Sequence, residues 1–406
     1  MALVRSALKL RLVPTRDQDE LLLQFAGARR WVWNWALGER RRSYEETGRP
    51  LSWSALSATL TAMKREPETQ WLRDMDSQAL QQALADLAKA FKAFLAGDAG
   101  FPGWRSRKTH RPTFRIPQRV EVTQTHIRVP KVGLIRLLQT PRAFVGGMTK
   151  SATFRQSASG KWYASVVVEW ECEEGPLPLP EDADRVSGID LGLTTYAVLS
   201  SGEKVANPRF GRVGDRAIRR LNQKLARQVK GSNGRAKTKQ RLARAHETVA
   251  NRRRDFAHKL TTRLLDDHDG VCIEDLGVRG LARTKLARSV LDAAWGEIKR
   301  QLAYKAPRRR KYLGWAGRFE ASTKECSVCH ARAPELTLGN RTWSCPRCGI
   351  CHHRDENAAA MVKWLGYGRY LADASGTTQD VAAGRSETLN ACGAAVRPAE
   401  RAGSLP

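Results

Sequence analysis

Two Cys-x-x-Cys units constrain this chain more than any other feature. Cys326 and Cys329 form the first and Cys345 and Cys348 the second, with fifteen residues between them. Four thiolates on two short turns surround one tetrahedral Zn²⁺ and leave no position for water, so the spacing predicts a structural knuckle. Cys351, His352 and His353 stand beside it as spare candidate ligands. Seven residues past Cys348 comes Asp355, in Arg354-Asp355-Glu356-Asn357, opening an Ala-rich helix. Such a knuckle does not by itself imply DNA contact; its plain structural role would be to hold that helix in place where hydrophobic packing is scarce.

Two further acids lie upstream on strand-like runs. Asp190 stands in Gly188-Ile189-Asp190-Leu191-Gly192, and Glu274 in Val271-Cys272-Ile273-Glu274-Asp275-Leu276. Taken singly each is ordinary: Asp is common where a strand enters a turn, Glu274 or Asp275 can face solvent, and Asp355 is a favourable capping residue. Their combination points to chemistry. Phosphodiester hydrolysis requires a neutralised phosphate, an activated water and a stabilised leaving oxygen, which two Mg²⁺ ions roughly 3.5–4 Å apart supply from a carboxylate cluster. Mg²⁺ takes hard oxygen ligands, which suits two Asp and one Glu. Asp190 at a strand end, Glu274 on another strand and Asp355 at a helix start are expected to converge on one edge of a mixed sheet, as in a ribonuclease-H-like nuclease. Alternation puts Glu274 with Cys272, on the face opposite Val271 and Ile273. The Asp355 helix would direct its N-terminal dipole toward phosphate.

Charge agrees with a polyanionic partner. Lys and Arg number 70 against 41 Asp and Glu, a net +29, and twelve Trp add stacking surfaces. The excess is densest over 209–263, with eighteen Lys/Arg and three acids, too many for i,i+4 pairing to neutralise. This reads as a phosphate-binding helical bridge with Arg252, Arg253 and Arg254 as candidate contacts. No run approaches eighteen apolar residues, so no membrane span is expected. At the start, Leu8, Leu10 and Leu12 alternate with Lys9 and Arg11, a strand pattern rather than a signal peptide. The cysteines outside the clasp show no disulfide framework, which suits a reducing cytosol.

Along the chain, one strand is followed by helices at 15–44, 51–64 and 77–95, then by short strands from 113 to 173. A Pro-rich stretch at 175–180 marks a boundary. The pattern predicts an α/β multidomain protein: a β-rich domain (1–14 and 104–180) with a helical insertion (15–103), then a nuclease domain (181–320) holding the basic insertion 209–263. The zinc ribbon (321–351), a last nuclease segment (352–370) and a disordered tail (371–406) complete it.

With these residues assembled, the chain resembles the TnpB family of transposon-associated RNA-guided DNA endonucleases, relatives of the type V CRISPR effectors. The resemblance runs from about residue 3 to 366 and into Thr388-Leu389-Asn390-Ala391. It rests on the Asp190, Glu274 and Asp355 motifs, on Trp295 with Tyr304-Lys305, and on the paired Cys-x-x-Cys units. It implies a β-barrel-like wedge carrying the helical recognition insertion, then a split RuvC-like domain with an inserted zinc ribbon. It also implies cleavage of double-stranded DNA matched to a guide RNA from the transposon end, beside a short duplex motif. The expected setting is the prokaryotic cytoplasm and nucleoid, with one protein per RNA. In this class the protein reads shape and a short motif while base pairing reads the target; Gln81 on the third helix could reach adenine edges, and Trp53 could stack nearby. Two positions depart from the family: His353 where Asp is usual, and His330 where Gly commonly follows the first cysteine pair. Competing readings are a nuclease-silent RNA-guided regulator, a transposase performing strand transfer, and a simple zinc-ribbon nucleic-acid-binding protein, which leaves the upstream acids unexplained.

Overall fold

Leucines on alternate positions build the first strand, β1 (Ala2–Val13), in the computed structural model, which describes residues 2–139, 148–172, 180, 182–318, 320, 324–332, 339–374, 388–389 and 395–396. The chain divides into two units, Met1–Glu174 and Gly175–Pro406. In the first, β1 leads into α1 (Arg16–Thr47), α2 (Trp53–Met63) and α3 (Ser77–Leu95), then β2 (Thr113–Ile116), β3 (Glu121–Val122), β4 (His126–Val129), β5 (Gly133–Leu137), β6 (Met148–Gln156) and β7 (Trp162–Cys172). Local chemistry sets the helix ends. Thr15 and Gln18 form a reciprocal capping box, Asp76 accepts from Ala79 N–H, and Gly48 closes α1 in the left-handed region at φ 68°. Leu80, Leu84 and Leu87 of α3 are buried against Leu22, Phe25 and Leu37 of α1, each side chain contributing about 1.5–3 kcal/mol. Phe94 leaves this stripe at 37% exposure.

The sheet of this unit runs β2-β6-β7-β1-β5-β4-β3, antiparallel throughout. It does not close into a barrel. Its edges are β2 and the two-residue β3, which pair only with β6 and β4 among the described residues. The long β1 gives Ala2 to Arg11 to β7 and only Leu12 and Val13 to β5, so one strand is shared between two halves of an open sheet.

The second unit holds β8 (Val186–Leu191), β9 (Thr195–Leu199), β10 (Lys204–Ala206), α4 (Phe210–Arg227), α5 (Asn233–Asp267), β11 (Gly270–Glu274), α6 (Val278–Leu281), α7 (Ala287–Ala293), α8 (Trp295–Arg308), β12 (Tyr312–Ala316), β13 (Thr342–Ser344), β14 (Cys351–His353) and α9 (Arg354–Ala374). Its five-stranded sheet runs β10-β9-β8-β11-β12, with β8, β11 and β12 parallel and the other pairs antiparallel. The period of two in each strand divides the residues between two faces. Ile189, Leu191, Val271 and Ile273 pack with Leu260, Leu264, Ile298 and Leu302 of α5 and α8, whereas Val186, Cys272, Tyr312 and Ala316 pack with Val362 of α9. Lys305 ties α8 to α5 by donating to the His258 carbonyl and to the Thr261 and Thr262 hydroxyls.

Close approach of α9 requires glycine beneath it. A Cβ on Gly188 would collide with the Ala359 carbonyl and lie 2.7 Å from the Lys363 Cβ. Among the described residues no helix is long and apolar enough to cross a membrane. The stretch 175–179 and most of the tail lie outside the described residues, but α9 continues as helix to Ala374, beyond residue 370.

Candidate nuclease and zinc centres

Register places the first two acids. β8 and β11 are parallel neighbours with Ile189 opposite Ile273, so Asp190 and Glu274 come next on adjacent strands, at their C-terminal ends. Both follow residues of the α9 face, Gly188 and Cys272, by two positions. The first turn of α9 carries Asp355 across the same face. The electrostatics record the meeting. Burial pushes Asp190 up to about 7, and the carboxylates of Asp355 and Glu274 push the same way; Arg354 and the Leu191 N–H oppose them. Glu274 is also raised by burial, with Lys299 opposing. Asp275 differs: burial is outweighed by Lys299 and by Arg318, whose Nη2 lies 3.1 Å from it, and its carboxyl stays low. Asp275 is thus paired with two cations, Lys299 and Arg318.

The donor set suits a hard divalent cation. Asp190, largely buried and facing the carboxylates of Asp355 and Glu274, needs either a proton or a metal, and Mg²⁺ takes carboxylate oxygen. The trio is not drawn into one tight shell; among the described residues only the four cysteines bring ligand atoms within 4.8 Å of one another. Arg341 Nη1 lies 3.5 Å from both Asp355 oxygens.

The cysteines fit zinc closely. Cys329 and Cys345 sulfurs are 3.5 Å apart and those of Cys326 and Cys348 3.7 Å apart. A tetrahedron with Zn–S bonds of about 2.3 Å has edges of about 3.8 Å. The backbone N–H groups of Cys348 and Arg347 pull the Cys345 thiol down to about 6. Of the spare ligands, Cys351 is exposed, and His352 Nε2 lies 3.1 Å from the Cys326 sulfur. His353 ends β14 opposite Thr342, with its Nδ1 buried and lacking a hydrogen-bond partner among the described residues. His330 stands at φ 56°, in the left-handed region that favours glycine, and its ring lies tilted against Trp364 of α9 with centroids 4.2 Å apart.

One residue of the tetrad had a role that the sequence reading missed. Asn357, 3% exposed, accepts from Ser327 N–H at 2.9 Å and donates to the Glu325 carbonyl at 2.7 Å. It clasps the first Cys-x-x-Cys turn to α9, one residue after Glu356, which pairs with Lys204 of β10 at 2.8 Å. An Asn two positions after an acid at a helix start was the available signal, but its partners are backbone atoms about thirty residues away.

The basic stretch is an antiparallel pair, α4 and α5, and its arginines are not equivalent. Arg252 is exposed. Arg253 is not a free phosphate contact: its Nε and Nη2 donate to Asp292 Oδ1 of α7 at 2.9 and 2.7 Å, and Asp292 also accepts from Gly211 N–H. Arg253 therefore leaves the candidate contact set and becomes a structural ion pair. Arg254 is half-buried beside Asn251. Trp53 opens α2 at 46% exposure, whereas Gln81 is half-buried and accepts from the Ser57 hydroxyl at 3.1 Å, which ties α3 to α2.

Three family models match the chain. A helix-turn-helix domain covers residues 1–49, a family described as "Probable transposase" covers 165–285, and a Cas12f1-like TNB domain covers 295–362. The first of these segments folds here as one strand and one 32-residue helix. Two curated relatives carry the name "Putative RNA-guided DNA endonuclease". That from Streptomyces pristinaespiralis is 34% identical over 372 residues, 89% of each chain. InsQ of Escherichia coli K12 is 33% identical over 384 residues, 89% of this chain and 92% of its own. The TnpB-like protein L79 of Acanthamoeba polyphaga mimivirus is 29% identical over 136 residues, covering 31% of this chain and 25% of its own. A chain from a cryo-EM structure of a Cas12f1–sgRNA–target DNA complex shares the fold, with a TM-score of 0.52 at 11% identity, covering 89% of this chain and 99% of its own.

Proposed function

The chain belongs to the TnpB family of RNA-guided DNA endonucleases, and from that premise we propose that its cutting centre is the cluster of Asp190, Glu274 and Asp355. The observation that carries this reading is that acids from three distant segments share one sheet face beneath the start of α9, with Asp190 pushed up to about 7 by burial, Asp355 and Glu274. We read this unit as a RuvC-like domain with the zinc ribbon inserted before its last segment, and the first unit as a wedge with a helical recognition insertion. The substrate is double-stranded DNA matched to a guide RNA from the transposon end, beside a short duplex motif, with one protein per RNA.

Asp190, Glu274 and Asp355 would hold two Mg²⁺ ions, whose chemistry there is to neutralise the scissile phosphate, activate the attacking water and stabilise the leaving oxygen. The remaining work falls to the protein. The positive end of the α9 dipole favours an anionic phosphate beside Asp355. Asn357 and one zinc held by Cys326, Cys329, Cys345 and Cys348 keep that helix end where the two strand acids can meet it. Arg252 and its neighbours on α4 and α5 supply positive charge along the nucleic-acid path.

A single centre would cut the two strands in turn. Cleavage of a guide-matched plasmid by the purified protein–RNA complex tests the assignment. Asp190→Ala should abolish cutting and leave guide and target binding nearly intact, because affinity comes from base pairing and phosphate contacts elsewhere. Cutting at the unmutated rate would remove Asp190 from the centre.

A further inference from the structure

We propose that the outer ends of α1 and α3, with the loop that follows α3, form a stacking platform for unpaired nucleotides of the guide RNA. This goes beyond the cutting centre, and it rests on the RNA-guided reading only for the identity of the strand. Large apolar side chains gather here at the surface instead of inside. Phe94 is 37% exposed, Leu95 80%, Phe101 51% and Trp104 54%. They are ordered. Phe101 meets Phe94 edge-on at 5.3 Å, the Arg41 guanidinium sits 5.9 Å from the Phe101 ring centre, and the Trp104 indole lies across α1 at Gly38.

The loop is held from beneath. Trp33 Nε1 donates to the Gly103 carbonyl at 3.1 Å. Asn34 captures the Arg105 backbone from both sides, donating to its carbonyl at 2.9 Å and accepting its N–H at 2.8 Å. The Arg105 guanidinium covers the Trp33 ring at 3.3 Å. The strap satisfies the polar groups on the inner side and leaves the aromatic rings outward, which is preorganisation rather than failed burial.

A contiguous exposed apolar patch on a chain of this size marks an interaction surface. The partner's chemistry follows from the rings and their neighbours. Flat faces interleaved with an arginine suit nucleobases, which stack on aromatic rings regardless of sequence when they are unpaired. Paired bases do not present those faces. RNA is favoured over displaced DNA because the guide accompanies the protein, and such a patch needs a resident cover.

The test uses the full zinc-loaded chain, freed of nucleic acid and without Mg²⁺, so cutting does not enter. Affinity is measured for an unstructured twelve-nucleotide RNA, the same sequence as DNA, and an RNA duplex of equal length, across a salt series. Phe101→Ala with Trp104→Ala should weaken unpaired RNA roughly 5- to 150-fold per base unstacked. The salt slope should stay unchanged, since no phosphate contact is lost. Phe101→Trp should retain binding, and the melting temperature should not move. Unchanged affinity for unpaired RNA would overturn the proposal, as would equal weakening for duplex. A loss confined to the DNA strand, or loss of a dimer with RNA binding intact, would assign the platform to another partner and overturn it equally.

Discussion

Asp190 carries a pH signature that separates a metal site from an ordinary turn residue. Burial, with the carboxylates of Asp355 and Glu274, pushes its carboxyl up to about 7, against about 3.9 in an unfolded chain. Between those values the folded state binds more protons, so stability falls as pH rises from about 4 through 7. The difference amounts to about 4 kcal/mol at most. Zinc-loaded, Mg²⁺-free wild-type protein should therefore melt at a lower temperature at pH 8 than at pH 5, while Asp190→Asn should lose this slope; Mg²⁺ at pH 8 should raise the wild-type melting point and leave the variant unmoved. Matching pH profiles for the two proteins would refute the crowding of carboxylates. The arginine run yields a second contrast. Arg253→Ala leaves Asp292, whose side chain is 12% exposed, without its cation, and should cost about 3 kcal/mol in denaturant unfolding. Arg252→Ala should stay within about 0.5 kcal/mol. A sequence shows three equivalent arginines because the distinguishing partner lies 39 residues on, in a seven-residue helix without a periodic signal. The strand positions of Asp190 and Glu274 were legible by contrast, because alternation with apolar neighbours is a local property.

At the scale of elements, α9 depends on what flanks it. Its buried face is small, Ala358, Ala359, Met361 and Val362, and it lies on glycine. Packing of that kind gives little hydrophobic stabilisation, and Asn357 and the knuckle make up the difference. Cys345→Ser, or chelation of the wild type, should lower the melting temperature and release α9 first. Hydrogen exchange would show this as lost protection across 354–366 with β8 and β11 retained. Protection lost uniformly over the domain would mean the knuckle supports the whole fold. Helix boundaries were readable where apolar spacing is strong: α3 spans Ser77–Leu95, the range its leucines predict. The short α6 and α7 were not, because four and seven residues carry too few turns for a period to appear. The open sheet of the first unit was not readable either, since closure depends on whether the edge strands meet, which no strand's own pattern contains.

For the molecule as a whole, the +29 charge sets how affinity responds to salt. Arg252→Glu with Arg254→Glu should reduce the log–log salt slope of RNA binding by roughly 0.7–0.9 for each phosphate contact removed. An unchanged slope would make that part of α5 a solvated surface. The order of the acids along the chain has a further consequence, one of time. Two of them stand on adjacent parallel strands by residue 274, but the third arrives only after the knuckle, on a helix that follows residue 353. A ribosome adding roughly 5–20 residues per second takes several seconds to cross that interval. Throughout it the nascent chain already displays the basic α4 and α5, so it can gather RNA while two of its three carboxylates stand alone. With Asp355 in the proposed centre, cutting ability would follow nucleic-acid binding in the order of synthesis, and a chain broken within the knuckle would bind without cutting.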